Sequence, residues 1–362
     1  MRITHVCRVG WPSVGGMEAV VEGLASAQAA AGHDVRVITL TRAPGTGERL
    51  PAGWHRGVRY LRLPRLGPNR YPTALGLTGA LRGADIVHAH GLDGLTDAAV
   101  HGVFHHHARV GISTHGGFFH SARNPRLKAL WLRTVTRATL MRAGAVWYCS
   151  EADRDVLAPA GAPGLVVPNG VDVERFAAVT RAPEPGRWLV PGRVDVHKGH
   201  ARLLRTLAAL GDRGPREVRV VGGEARAGFM AELVALAQAL GLSDRVRWLG
   251  LVSDADLLDE LAACELAIFP SEHEGFGLGA VEAMAAAVPV VLSDIPPYRE
   301  RVRHGDTGFL VDFADADHAA DALLALPNEL DAIGQAGAKT AQAYSWAAVA
   351  RQWDERYAEL LA

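Results

Sequence analysis

Cysteine is scarce: Cys7, Cys149 and Cys264 are the only three in 362 residues, odd in number and far apart. That excludes a disulfide framework and a CxxC metal clip. Long apolar runs are missing as well. The best candidate, Leu278 to Leu292, is interrupted by Glu282 and Pro289 and falls short of the ~18 residues of a spanning helix. Met1 to Gly10 holds one short apolar stretch without a cleavage-site pattern, so no signal peptide is expected. There is no short repeat and no low-complexity tail. Net charge is only -1, with 49% hydrophobic and 21% charged residues, which excludes a disordered chain. At roughly 100–200 residues per domain, the length predicts two domains, each with its own core.

The small net charge conceals an asymmetry. Residues 1–180 carry 20 Lys+Arg against 12 Asp+Glu, a balance of +8, and residues 181–362 carry 18 against 27, or -9. From Ala98 to Ser150 no acidic residue occurs, while Arg109, Arg123, Arg126, Lys128, Arg133, Arg137 and Arg142 all do. One half is therefore expected to meet an anionic partner.

Short apolar runs alternate with longer helical patterns. Arg2 to Val9, Asp34 to Leu40, Asp85 to His90, Val110 to His115 and Ala145 to Cys149 read as strands in the first half. Trp188 to Val190, Glu217 to Val221, Val246 to Leu249 and Leu266 to Phe269 do so in the second. Several run into glycine, and Gly16 to Ala31, Arg202 to Leu210 and Phe229 to Leu240 have helical spacing. This is an α/β pattern of two Rossmann-like, doubly wound parallel sheets, with ligands expected beyond the carboxyl ends of the strands.

Three loops carry chemistry. Pro12 to Glu18, with Gly15 and Gly16, follows the first strand and opens a helix, so a phosphate could approach the backbone. No GxGxxG fingerprint occurs, which argues against NAD or FAD. Pro191-Gly192-Arg193 with Lys198-Gly199 places two cations on a loop suited to a diphosphate. Pro270 to Met284 carries Glu274 on a glycine-rich loop and Glu282 eight residues later, at the start of a helix. Loop amides and two carboxylates suit the hydroxyls of a sugar and a ribose. Each loop alone also reads as an ordinary turn with solvated charges. His105-His106-His107 is no chelate, since consecutive helix residues point about 100° apart, and is expected to be solvated or anion-facing. His88 and His90 face one side of a strand end, where site-lining and core roles are equally open.

Glu274 and Glu282 form an E-x7-E motif, and with the loops above the chain resembles family 4 of the retaining glycosyltransferases, which have the GT-B fold. The agreement also includes Gly32-His33-Asp34-Val35, Thr114-His115-Gly116, Val167 to Asp172, Ser293-Asp294 and Gly305 to Val311. The resemblance implies a nucleotide-diphosphate sugar donor. It implies Arg193 and Lys198 on the leaving diphosphate, Glu274 and the amides of Gly275, Phe276, Gly277 and Leu278 on the donor sugar, and Glu282 on the ribose. His115 would lie near the donor sugar. Gly15, Gly16 and Asn169 would complete the donor site, and Gly222, Gly223, Leu251 and Val252 would contact the nucleobase. It further implies a domain at 1–170, a nucleotide-sugar domain at 171–343 and a terminal helix, 344–362, that crosses back to the first domain, its loss loosening both. Two fixed cations replace a metal, so no metal and no cofactor are expected; Asp254-Ala255-Asp256 lies elsewhere than a metal-binding DxD would.

Ser113 to His120, with Lys128, Trp131, Arg133 and Thr136-Arg137, is similar to bacterial α-mannosyltransferases that use GDP-mannose to extend cellobiosyl-diphosphopolyprenol in exopolysaccharide assembly. Arg123, Arg126, Lys128, Arg133 and Arg137, interleaved with Leu127, Leu130, Trp131, Leu132 and Leu140, read equally as a basic membrane-facing surface or as a helix packed into the core. A cytoplasmic protein, peripheral on the inner membrane, is expected. The alternative is a transferase using UDP-glucose, UDP-N-acetylglucosamine or UDP-galactose on a soluble acceptor. The outsider is a nucleotide-sugar epimerase or an inactive binding subunit, and nothing points to nucleic acid.

Overall fold

The computed structural model describes residues 1–13, 15–43, 47–69, 71–115, 125–327 and 329–362, with the side chains of 125, 127 and 128 left aside. Its strands, in chain order, are β1 (Arg2–Val6), β2 (Asp34–Leu40), β3 (Gly53–His55), β4 (Val58–Leu63), β5 (Arg65–Leu66), β6 (Thr73–Ala74), β7 (Ile86–His90) and β8 (Arg109–Ser113). There follow β9 (Ala145–Tyr148), β10 (Leu165–Val166), β11 (Arg187–Pro191), β12 (Glu217–Val221), β13 (Val246–Gly250), β14 (Leu266–Phe269), β15 (Val290–Ser293) and β16 (Phe309–Val311). Two compact units result, Met1–Val171 with Trp346–Ala362, and Asp172–Ser345. The boundaries read from the sequence were 170/171 and 343/344.

The first unit holds an eight-stranded sheet in the order β10-β9-β8-β7-β1-β2-β4-β3. Strands such as β7 (IVHAH) are buried along their whole length, as expected where helices cover both faces of a parallel sheet. One edge departs from the alternating pattern. β3 pairs antiparallel with β4 through Arg56-Gly57, both at positive φ, +47° and +77°. A two-residue turn with two positive φ values matches the twist of a hairpin, but Arg in its first position is not a residue that announces one. The second unit holds a six-stranded, wholly parallel sheet, β13-β12-β11-β14-β15-β16. Read by position in its unit, this is the order 3-2-1-4-5-6, and the crevice of such a sheet lies where the order reverses, here between β11 and β14.

The terminal helix Trp346–Leu361 packs within the first unit. Val349, Trp353, Tyr357 and Leu360 join Ile3, Val21, Leu24, Val35 and Trp147 in one core cluster. Two glycines make room for Trp346: a Cβ on Gly23 or Gly170 would lie 2.1 or 2.3 Å from its ring. Among the described residues no helix is long and apolar enough to cross a membrane.

Candidate active site

In the second unit the loops that leave β11 and β14, the two strands flanking the reversal, meet. β11 ends at Pro191; after it come exposed Arg193 and a single helical turn, Val196–Lys198, capped by the Asp195 carboxylate on the Val196 amide. Gly199 ends that turn at φ +71°, and a Cβ there would lie 1.8 Å from the Pro270 carbonyl oxygen. Only glycine allows this approach of the two loops. The consequence is that Lys198 Nζ lies 2.5 Å from Glu274 Oε1.

Glu274 Oε1 is heavily engaged. It also accepts hydrogen bonds from Ser271 Oγ (2.9 Å) and Tyr298 Oη (3.1 Å). Among the described residues Oε2 receives none, so one oxygen is fixed and the other remains for a ligand. Tyr298 is fully buried, and its ring fills the space beside Gly277, where a Cβ would lie 2.6 Å away. Gly277, at φ +87°, then caps the helix Leu278–Ala285. Phe276 is buried, with the Arg301 guanidinium 3.9 Å above its ring and Arg301 Nε donating to its carbonyl. Phe276 can thus offer a ligand only backbone.

Glu282 lies on the same helix, partly exposed. Loss of solvent pushes its carboxyl up to about 7; Arg175 opposes the shift, while Asp254 and Asp172 add to it. Arg175 is itself paired with Asp254 at 3.2 Å. On the other side of the reversal, the ends of β11, β12 and β13 are laced together, with Gly192 N donating to the Val221 carbonyl and Gly222 N to that of Gly250, each at 2.8 Å. Gly223 lies against Leu251, which is 83% exposed, with Val252 following it. Arg193, Lys198, Glu274, Gly222, Gly223 and Leu251 therefore all lie beyond the carboxyl ends of one sheet's strands.

In the first unit, Gly15 and Gly16 open the helix Gly16–Ala30 after β1. His115 follows β8 with φ +53°, a left-handed conformation uncommon outside glycine and typical of functional positions. Burial lowers its imidazole to about 4, offset in part by a hydrogen bond with the buried Asn169 side chain. The strand end is fixed from behind, since Thr114 Oγ1 donates to the buried Asp153 carboxylate. Tyr298, Ser271 and Asp153 were not singled out from the sequence as site partners. Nothing in the chain marks a tyrosine 24 residues beyond Glu274 as its neighbour.

Of the three adjacent histidines, His105 and His107 are exposed, and only His106 departs from expectation. His106 is buried, donating to the Ala99 carbonyl and accepting from the Ala108 amide, because the short helix Val103–His106 turns it inward. His88 and His90 are both core. The basic segment is a helix, Pro125–Trp131, a π turn, Leu132–Thr136, and a further helix, Arg137–Arg142. Leu132 and Leu140 are buried, whereas Arg126, Leu130, Arg133, Arg137, Met141 and Arg142 are exposed, so core and surface readings divide the segment between them. Arg123 and Gly116 to His120 lie outside the described residues, and so does the side chain of Lys128.

Comparison with known proteins gives the family and the fold. Residues 171–340 match the family model Glycosyl transferases group 1, and residues 14–175 match Glycosyltransferase Family 4. The chain is 35% identical to the GDP-mannose:cellobiosyl-diphosphopolyprenol alpha-mannosyltransferase of Xanthomonas campestris, over 99% of this chain and 97% of that one. It is 32% identical to the Komagataeibacter xylinus protein of the same description, over 100% and 94%. Among solved structures, Anabaena HepE in complex with UDP and glucose superposes with a TM-score of 0.77 at 20% identity, over 99% of this chain and 100% of that one. Sucrose-phosphate synthase from Thermosynechococcus elongatus does so with 0.77 at 23%, over 99% and 98%. With two sheets of this topology, and relatives alike from end to end, the chain belongs to the family 4 glycosyltransferases and has the GT-B fold.

Proposed function

We propose that the enzyme transfers an α-mannosyl group from GDP-mannose to a polyprenyl-diphosphate-linked oligosaccharide of the cellobiosyl type, with retention of configuration, in exopolysaccharide assembly. The observation that carries the site is the Lys198–Glu274 pair beside exposed Arg193 at the sheet reversal; the donor and acceptor follow the full-length relatives. The sugar C1–O bond to the diphosphate breaks as the acceptor oxygen bonds C1 on the same face, and the acceptor proton passes to the departing diphosphate. Negative charge grows on the diphosphate as positive charge grows on the sugar, so cations fixed in advance lower the barrier. Arg193 and Lys198 supply them, and no divalent metal is needed. Glu274 Oε2 and the amides of Gly275 to Leu278 hold the sugar hydroxyls. Glu282 accepts from the ribose, Leu251 and Val252 with Gly222 and Gly223 face the base, and Gly15, Gly16, His115 and Asn169 complete the donor site.

Thermal unfolding with GDP, UDP, GDP-mannose and UDP-sugars, with and without EDTA, tests this. A nucleotide at 100 times its Kd adds about 2.7 kcal/mol of stability. Stabilisation by GDP species alone, unchanged by EDTA, is expected; stabilisation by UDP species alone would move the reading to a UDP-sugar transferase.

Glu282 sets a pH dependence. An ionised carboxylate accepts more strongly from ribose hydroxyls than the neutral acid does, so nucleotide affinity should weaken as pH falls through about 7, the value to which burial raises this carboxyl. Its folded value exceeds the ordinary 4.5, so the folded state holds more protons between 4.5 and 7, and stability falls as pH rises through that window. Glu282→Gln should flatten both curves; parallel wild-type and variant titrations would remove Glu282 from the ribose.

The exposed surface of Arg126, Leu130, Arg133, Met141 and Arg142, with Phe104 under the Arg142 guanidinium at 4.8 Å, is suited to an anionic bilayer. Replacing Arg126, Arg133 and Arg142 with alanine should weaken co-sedimentation with anionic vesicles by roughly 100-fold, at about 1 kcal/mol for each charge. Equal binding by parent and variant would set this surface aside.

A further inference from the structure

Behind His115 runs a buried chain of hydrogen bonds that the reaction described above does not use. His115 Nε2 lies 2.9 Å from His90 Nδ1, His90 Nε2 lies 2.9 Å from His5 Nδ1, and His5 Nε2 lies 2.7 Å from Gln28 Oε1. The Gln28 amide nitrogen donates to Tyr357 Oη at 3.1 Å. Tyr357 Oη lies 2.7 Å from His88 Nδ1, and His88 Nε2 lies 2.6 Å from Ser113 Oγ. His5, Gln28, His88 and Tyr357 have no exposed surface and His90 has 1%. Trp147 and Trp353 stand against the His88 ring at 5.1 and 4.6 Å.

In such a setting each imidazole is neutral, and burial holds His5, His88 and His90 below the usual histidine range. A neutral ring has one N–H and one lone pair. The carbonyl of Gln28 accepts a hydrogen bond from His5 Nε2–H, so His5 Nδ1 accepts from His90 Nε2, and His90 Nδ1 accepts from His115 Nε2. Gln28 donates to Tyr357, so Tyr357 donates to His88, and His88 donates to Ser113. Every ring nitrogen of His5, His88 and His90 has a protein partner in this one-directional pattern, which accounts for their close grouping without a metal. The orientation of any one member dictates all the others.

We propose that His90, His5, Gln28 and Tyr357 are positioning residues for His115: a relay anchored on the terminal helix that fixes one tautomer and one orientation of the His115 ring at the donor sugar. The proposal rests on the reading of His115 as a donor-site residue. The left-handed backbone at His115 sets where the side chain leaves the strand end, and the relay sets the ring's orientation and tautomer by committing Nε2–H to His90. A cofactor-free reaction whose rate depends on fixed dipoles is sensitive to such orientation, and small displacements cost about 100-fold in rate.

The experiment uses the full-length enzyme with GDP-mannose and lipid-linked acceptor, and compares His90→Leu, His90→Gln and Tyr357→Phe. Glutamine offers one donor and one acceptor, so it can pass the chain on; leucine cannot. His90→Leu is expected to lower kcat by about 100-fold with donor KM changed less than about threefold. His90→Gln should restore most of the loss, and Tyr357→Phe should lower kcat by about tenfold. Long-range nitrogen spectra of the histidine rings should show one neutral tautomer for His115 in the parent and in His90→Gln, and a mixture in Tyr357→Phe and His90→Leu. Equal kcat for the leucine and glutamine variants, or an unchanged His115 tautomer in Tyr357→Phe, overturns the proposal. If His90→Leu does not fold, the glutamine and phenylalanine variants decide it alone. Unimpaired turnover by His115→Ala would instead overturn the placement of His115 at the donor, and the ring spectra separate that failure from failure of the relay.

Discussion

Lys198→Ala is expected to lower kcat by about 10²–10³-fold, with donor KM moving only a few-fold, in initial-rate assays with GDP-mannose. The ammonium lies 2.5 Å from Glu274 and only 23% of its side chain is exposed, so water cannot easily stand in for it. Its service is greatest when the sugar–diphosphate bond is breaking, because the leaving group gains charge at that moment; an interaction stronger in the transition state than in the ground state appears in kcat. Loss of the lysine still leaves Glu274 its hydrogen bonds from Ser271 and Tyr298, so the loop should keep its shape. The loss is therefore a loss of charge, and Lys198→Arg should recover little, since a planar fork does not replace a compact point charge in this turn. Turnover near the parent rate in Lys198→Ala would remove the lysine from the diphosphate.

Ending the chain at Ser345 is expected to abolish the cooperative unfolding transition of the first unit. Val349, Trp353, Tyr357 and Leu360 are each less than 10% exposed. At about 1.5–3 kcal/mol for each buried side chain, their loss amounts to roughly 6–12 kcal/mol, an upper bound comparable with the whole stability of a domain. Trp346 would also leave empty the space that Gly23 and Gly170 make for it, and Gln28 and His88 would lose the Tyr357 hydroxyl inside the core. Since the helix joins the first unit's core, the second unit should keep its own transition; calorimetry with limited proteolysis checks both. A single transition at the parent temperature would contradict this account.

The sheets were legible because their strands are short, apolar and regularly spaced. β2, β12 and β14 fall where Asp34–Leu40, Glu217–Val221 and Leu266–Phe269 run apolar in the chain. The β3–β4 hairpin was not legible, because its turn is made by arginine in a conformation that glycine or asparagine ordinarily marks. The family was legible for a different reason. Arg193, Lys198 and Glu274 follow strands and Glu282 lies on the next helix at a characteristic spacing, and the full-length relatives show the family that this spacing suggests.

Local sequence by itself determined the main sheet strands, the family and the loops that bear charge, because hydrophobic period and glycine-bearing turns act over a few residues. Tertiary structure alone decided which oxygen of Glu274 is committed and which is open, since that depends on Tyr298, brought in from the far side of a helix and a strand. It also decided that His88 and His90 are buried in the core, because Tyr357, 269 residues beyond His88, bonds to it and His5, 85 residues before His90, bonds to that ring. A hydrogen bond depends on distance in space, and separation along the chain carries no record of it.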